Sequence, residues 1–132
     1  SRYDAITGET IPATDRIGLL DRKLRVAGEN TATEEDWYAA ARQAYQATYG
    51  YEWQGDNLLL ARENALCDFF DYHIDKFDTE PSMEHTREIA VIISWNFWQM
   101  DGIKGVIPDS CHDHIEVIPS LFGDGEKIIT KC

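Results

Sequence analysis

The segment from Asn57 to Lys76 repeats apolar side chains at the three- and four-residue spacing of one helix face. Asp56 stands immediately before it, where a carboxylate can cap the first turn. The predicted apolar side consists of Leu58, Leu59, Arg62, Ala65, Leu66, Phe69, Phe70 and His73. The sequence therefore predicts a long helix from Asn57 to about Lys76, with Cys67 as a buried thiol within it.

A second helix is predicted just upstream, from about Glu34 to Thr48. Thr33 opens the sequence TEED, in which the hydroxyl can accept from a free backbone amide and the acids favour the positive end of the helix dipole. Its predicted buried positions are Trp37, Ala41, Ala44 and Tyr45. Gly50 ends this helix, and a short extended piece from Tyr51 to Trp53 should come after it.

A third helix is predicted to start near Met83, because Pro81 disfavours helix at the residue before it and Ser82 can cap a helix that begins at the next residue. It carries Ile89, Ala90, Ile92 and Ile93 into the core. Near Ser94 the pattern changes, and residues 96–100 are compatible with either a buried strand or a continued helix.

The two ends of the chain carry weaker patterns. Residues 1–32 are predicted as an N-terminal arm with one short helix, in which Ile17, Leu20 and Leu24 share a face and Gly28 ends the helix. Residues 108–132 are predicted as an irregular tail or a hairpin whose turn is formed by residues 123–125. With a helical body over residues 33–107, the predicted fold is mainly α with minor β, about three main helices plus one or two short strands.

Composition limits the classes of function. The 132 residues suffice for one domain with a hydrophobic core. There are 24 acidic residues against 12 Lys and Arg, a formal net charge of -12, so the chain is a poor candidate for binding nucleic acid directly. The sequence contains no run of eighteen apolar residues and its first residues lack a signal-peptide pattern, which predicts a cytoplasmic protein without a membrane contact.

A metal site near the C-terminus is a weak possibility. Zinc prefers four nitrogen or sulfur ligands, and the candidates are Cys111, His112, His114 and Cys132. The spacing lacks a CxxC pair and matches no standard zinc motif. The sequence therefore predicts no metal.

Three stretches of the sequence resemble the adenine-specific DNA methyltransferases of bacterial restriction-modification systems. They are YGYEWQGDNLLLAREN at residues 49–64, NFWQMDG at residues 96–102 and the upstream GLLDRKLRV at residues 18–26. The resemblance implies a partial segment of a doubly wound α/β methyltransferase domain. It also implies S-adenosylmethionine as cofactor and methylation of the exocyclic N6 of an adenine flipped out of the duplex.

The resemblance assigns roles to four residues. Glu52 matches the acid that binds the ribose hydroxyls of the cofactor, and Asp101 matches the acid that accepts from the cofactor's adenine amino group. Trp53 and Trp98 are neighbours that could stack on an adenine ring. Without the resemblance, Glu52 is more simply a surface carboxylate and Asp101 a turn residue, and a group formed by Trp95, Phe97 and Trp98 is more simply part of the core.

The sequence also departs from the family pattern. Only SRYD at the start could correspond to the trailing edge of the glycine loop, and the Asn/Asp-Pro-Pro-Tyr/Phe catalytic motif is absent. The resemblance therefore implies the middle portion of a larger enzyme. Such a portion would be inactive and without bound cofactor by itself, would contact DNA through other regions of the parent protein, and would be prone to self-association.

An alternative from a different class is a free-standing helical interaction module whose acidic surface binds a basic protein partner. It is suggested by the excess of acids and by the helical core.

Overall fold

The structure, a computed structural model, describes residues 2–107, 114–120 and 123–130, with side chains for residues 2–107 and Ile129. Its helices are α1 (Leu19–Asn30), α2 (Glu34–Gln46), α3 (Gly55–Phe77) and α4 (Met83–Asn96). Its strands are β1 (Gly50–Glu52), β2 (Phe97–Gln99), β3 (His114–Ser120) and β4 (Gly123–Thr130). The predicted fold, mainly α with minor β, is confirmed. Among the described residues, no helix is long and apolar enough to cross a membrane.

Local capping explains where α2 and α4 begin. The Thr33 hydroxyl accepts from the Asp36 amide at 3.2 Å, and the Ser82 hydroxyl accepts from the His85 amide at 3.2 Å. Each side chain satisfies one of the amides that a first helical turn leaves free. Both predicted caps are confirmed, as is the burial of Trp37, Ala41, Ala44 and Tyr45.

The prediction of a long helix at α3 is confirmed, but its first residue and its buried side chains differ from those predicted. It begins at Gly55 with Gln54 at the cap position, so the predicted cap Asp56 lies instead in the first turn. Leu59 is 66% exposed, whereas Asp68 and Tyr72 are buried. Cys67 is only half-buried. The buried side of α3 is therefore more polar than hydrophobic periodicity indicates.

Helix α1 is longer than predicted, because Gly28 does not end it. At its last turn the Asn30 side chain donates to the Val26 carbonyl at 2.8 Å, and the Thr31 hydroxyl donates to the Ala27 carbonyl at 2.6 Å. These bonds satisfy carbonyls that a helix end leaves free. Ile17, predicted for the apolar face, precedes α1 and is 89% exposed.

The core lies where the four helices meet, and it is rich in aromatic rings. The Trp37 ring is 5.5 Å from that of Phe69, 5.3 Å from that of His73 and 5.9 Å from that of Phe77, measured between centroids. The fully buried Leu24 and Ile89 belong to the same cluster. Burial of these large side chains supplies the main stabilisation of the helical body.

The C-terminal strands pair separately from the helical body. β3 and β4 form an antiparallel pair in which His114 faces Thr130 and Ser120 faces Gly123. Because β4 already begins at Gly123, the predicted turn at residues 123–125 is wrong.

A buried ionic cluster, here called the Arg16 cluster, holds the N-terminal arm on α3. Arg16 is 2% exposed, and its guanidinium donates to Asp68 Oδ1 at 2.9 Å, Asp71 Oδ2 at 2.8 Å and the Ile11 carbonyl at 2.8 Å. Arg2 Nε also lies 2.9 Å from Asp71 Oδ2. The carboxylates lie more than fifty positions from Arg16 along the chain, a pairing that no local pattern predicts.

Asp68 and Tyr72, both on α3, connect the Arg16 cluster to the surrounding structure. Burial and the nearby charge of Asp21 raise the pKa of Asp68, Arg16 opposes the shift, and the net result is a pKa of about 6. The Tyr72 hydroxyl lies 2.7 Å from the Ala13 carbonyl and 3.2 Å from Asp21 Oδ1, which ties the arm, α1 and α3 together.

Replacing Arg16 by Met should lower the free energy of unfolding by about 3–5 kcal/mol, because it leaves buried carboxylate charge without its partner. Arg42→Met is the control: its pair with Glu88, at 3.5 Å and with both side chains 48% exposed, should be worth about 1 kcal/mol or less. Urea unfolding of both variants measures the difference. Equal losses would show that the Arg16 cluster contributes no more than an exposed ion pair.

The stabilising contribution of Asp68 should decrease as the pH rises from about 4 to about 6. Its folded-state pKa of about 6 lies above its ordinary value of 3.8, so the folded chain binds this proton more tightly than the unfolded chain. Comparing the pH dependence of unfolding for the natural chain and Asp68→Asn isolates this contribution. Carboxyl NMR provides a direct check, and a titration of Asp68 near its ordinary value would contradict the prediction.

Candidate functional site

The strands β1 and β2 form a parallel pair, in the register Gly50 to Phe97, Tyr51 to Trp98 and Glu52 to Gln99. The chain leaves β1, runs through α3 and α4 and returns beside it as β2. The Met100 amide donates to the Glu52 carbonyl at 3.1 Å, immediately beyond the paired residues. Glu52 ends β1 and Asp101 comes two residues after β2, so both acids lie at the carboxyl end of the strand pair, the edge where open parallel sheets bind ligands.

Glu52 is half-buried at this edge. Its Oε1 accepts from the Gln54 amide at 3.2 Å, so one carboxylate oxygen takes part in the turn that leads into α3. A carboxylate has a second oxygen and several lone pairs, so this local bond leaves acceptor capacity for a ligand.

Asp101 organises the turn after β2. Its Oδ1 accepts from the Ile103 amide at 2.9 Å and the Lys104 amide at 3.1 Å. These two amides lower the pKa of Asp101, because they stabilise its carboxylate form. The structure thus has the turn geometry that the simpler interpretation of Asp101 predicts. Neither bond uses Oδ2.

Two side chains that sequence reasoning did not assign to the site hold the strand pair in place. Arg62 Nη2, on α3, donates to the Phe97 carbonyl at 2.5 Å and to the Ser94 carbonyl at 3.3 Å. Asn96 Nδ2 lies 3.1–3.2 Å from the carbonyls of Tyr45, Gln46 and Thr48 at the end of α2. In the sequence, the one indication of a special role for Arg62 is that it is a cation on an otherwise apolar helix face.

The aromatic side chains around the strands lie on two different sides. Phe97 packs against the core, and a β-carbon on its partner Gly50 would lie 2.8 Å from Phe97 Cδ1. Trp98, one residue on, is 43% exposed, and Trp95 and Trp53 are 68% and 51% exposed. The expectation that Trp95 and Trp98 belong to the core is therefore wrong, because alternation in the strand turns Trp98 away from the side that Phe97 occupies.

The side chains of the metal candidates lie outside the described part of the structure. Cys111, His112 and Cys132 lie outside the described residues, and of His114 only the backbone in β3 is described. Within the part of the chain that the structure describes, no group of three or more His, Cys, Asp or Glu side chains is arranged to hold a metal ion.

His73 lies in the core and makes hydrogen bonds that connect two elements of the fold. It is 1% exposed, with Nδ1 at 2.6 Å from the Thr79 carbonyl and Nε2 at 3.0 Å from Glu34 Oε1. It therefore joins the start of α2 to the turn after α3, in agreement with the expectation of a packed histidine.

Comparison of the chain with protein-family models, with curated proteins and with solved structures gave no match to any of them.

Gly50→Ala should lower the free energy of unfolding by about 1–3 kcal/mol, since the added β-carbon would overlap the packed Phe97 ring. Gly28→Ala is the matched control, and it should raise the free energy of unfolding. Its β-carbon would meet nothing closer than 4.0 Å inside α1, so it should stabilise by about 0.5–1 kcal/mol. Denaturant unfolding of both variants tests the close packing of β1 on Phe97, and a neutral Gly50→Ala would contradict it.

Proposed function

We propose that this chain supplies one edge of the cofactor pocket of an S-adenosylmethionine-dependent DNA adenine-N6 methyltransferase. The observation that carries the proposal is the position of Glu52 and Asp101, two carboxylates at the carboxyl ends of adjacent parallel strands. Two of the stretches that resemble the methyltransferase family contain these acids. The proposal therefore combines a sequence resemblance with a compatible topology.

The donor and acceptor chemistry of these residues fits the cofactor. An ionised carboxylate can accept two hydrogen bonds at once, which suits Glu52 for a pair of ribose hydroxyls. Asp101 is likewise acceptor-only when ionised, which suits it to an adenine amino group. The exposed rings of Trp53 and Trp98 offer planar surfaces for stacking. When bound, the cofactor supplies the methyl group that is transferred.

In this proposal the chain binds and orients the cofactor, and other parts of a longer protein perform the transfer. The motif that holds the target amine in the family has no counterpart in residues 1–132. The net charge of -12 also assigns contacts with the DNA backbone to other regions. The 132-residue chain alone is expected neither to methylate DNA nor to retain the cofactor.

The decisive experiment is calorimetry of S-adenosylmethionine binding to the full-length protein and its Glu52→Gln and Asp101→Asn variants. Asn at position 101 can still accept from the Ile103 and Lys104 amides, so the turn should survive while the charged acceptor is lost. Each variant should lose cofactor affinity by roughly 10- to 100-fold, the range for a lost hydrogen bond to a charged group, with little change in thermal stability.

Asp56→Asn is the matched control, since Asp56 is exposed in the first turn of α3 and has no role in the proposal. It should leave the affinity unchanged. Undiminished binding in both Glu52→Gln and Asp101→Asn would reject the assignment of these acids. Absence of binding in the natural full-length protein would reject the methyltransferase proposal itself.

A second candidate function is an acidic interaction module that binds a basic protein. It is favoured by the contacts of His73, which bring the start of α2 against the turn after α3. The two segments that His73 joins carry five exposed acids: Glu34, Glu35, Asp36, Asp78 and Glu80. A full-length protein that binds no S-adenosylmethionine but binds a polylysine peptide through this end would favour the second candidate.

A further inference from the structure

A surface groove runs between α1 and α2, and the core residues Ala27 and Ala44 lie at its floor. Lys23, early in α1, reaches the end of α2, whereas Gly28, late in α1, lies near Trp37 at the start of α2. The two helices are therefore antiparallel neighbours. The groove encloses about 520 Å³, and its apolar lining consists of Leu19, Val26, Ala27, Ala40, Ala44 and Ala47.

The shape of the groove matches a helix. Four alanines line it, of which Ala27 and Ala44 are buried, and their short side chains leave room for another backbone, while Leu19 and Val26 are 65% and 48% exposed beside them. Helix α1 has 12 residues, which corresponds to a length of about 18 Å or roughly three helical turns. An amphipathic helix that inserts side chains at i, i+3, i+4 and i+7 fills a groove of these dimensions.

The charge of the groove is opposite to that of the whole chain. Its lining includes two charged side chains, Arg22 and Lys23, and both are cations, in a chain whose net charge is -12. Lys23 Nζ donates to the Ala47 carbonyl at 2.6 Å and to the Thr48 hydroxyl at 3.1 Å, which fixes its charge at one end of the groove. Arg22 is exposed beside it.

We propose that the groove between α1 and α2 binds an amphipathic helix of a partner protein, with the apolar face of that helix on the alanines and acidic residues beside Arg22 and Lys23. Charge complementarity selects an acidic helix over a basic one, because both charged side chains that line the groove are cations. The proposal uses none of the residues assigned to the cofactor and is independent of that function.

The test is two-dimensional NMR of the isotope-labelled chain, titrated with two synthetic amphipathic peptides of about 14 residues that share one leucine stripe. One peptide has Glu on its flanks and the other has Lys. The Glu peptide should shift amide signals of α1 and α2 around the groove, and it should bind more weakly at about 0.3 M salt than at about 0.05 M. The Lys peptide should bind about tenfold more weakly or not at all.

Two pairs of variants separate the groove from general surface effects. Arg22→Glu should weaken binding of the Glu peptide by about tenfold, whereas Arg87→Glu, an exposed cation on α4, should not change it. Val26→Glu should abolish binding, and Val91→Glu, at a similarly exposed valine on α4, should leave it intact.

Three outcomes would overturn the proposal. The first is equal binding of both peptides, and the second is signal changes outside α1 and α2. The third is binding to phosphatidylglycerol vesicles with no binding of the Glu peptide, which would identify the groove as a contact for an anionic lipid surface instead.

Discussion

The guanidinium of Arg16 determines how the first part of the chain lies on the rest. Removing this cation from water is costly, and the cost is met because Asp68, Asp71 and the Ile11 carbonyl all accept from it. Arg25 of α1 donates in turn to the Arg16 carbonyl, so the position of α1 is linked to the same point. The core beneath α1 and the groove beside it both depend on this arrangement.

Elements whose signals are local could be predicted from the sequence. Thr33 and Ser82 act within one helical turn, so the starts of α2 and α4 can be inferred from a few residues each. Gly28 shows the limit of such reasoning, since Asn30 and Thr31 supply the bonds that end α1 and a glycine in the preceding turn is tolerated. The Arg16 cluster could not be predicted, because its carboxylates are distant in sequence and are brought to Arg16 only by tertiary packing.

The candidate site shows the same division. The sequence identifies Glu52 and Asp101 as acids next to turns, but the parallel pairing of β1 and β2 requires knowing that α3 and α4 return the chain to the same side. Turn formation and ligand binding at Asp101 are compatible, since both hydrogen bonds of the turn use Oδ1 and neither uses Oδ2. The turn explains why an Asp is suited to position 101, and it also orients the carboxylate for a ligand.

The local distribution of charge on the surface matters more for the choice of a binding partner than the net charge of the chain. Screening limits the reach of an exposed charge to about 8–10 Å at physiological salt, so a docking helix senses the groups around its own groove and little of the remaining surface. Glu34, Glu35 and Asp36 lie in the first turn of α2, whereas Lys23 of α1 donates to the Ala47 carbonyl at the other end of that helix. The two ends of α2 therefore present opposite charges, and a net charge of -12 excludes neither a basic partner at one end nor an acidic partner at the other. Self-association stays a prediction, and this polarity gives it a physical basis, because the acidic end of one copy is complementary to the cationic end of another.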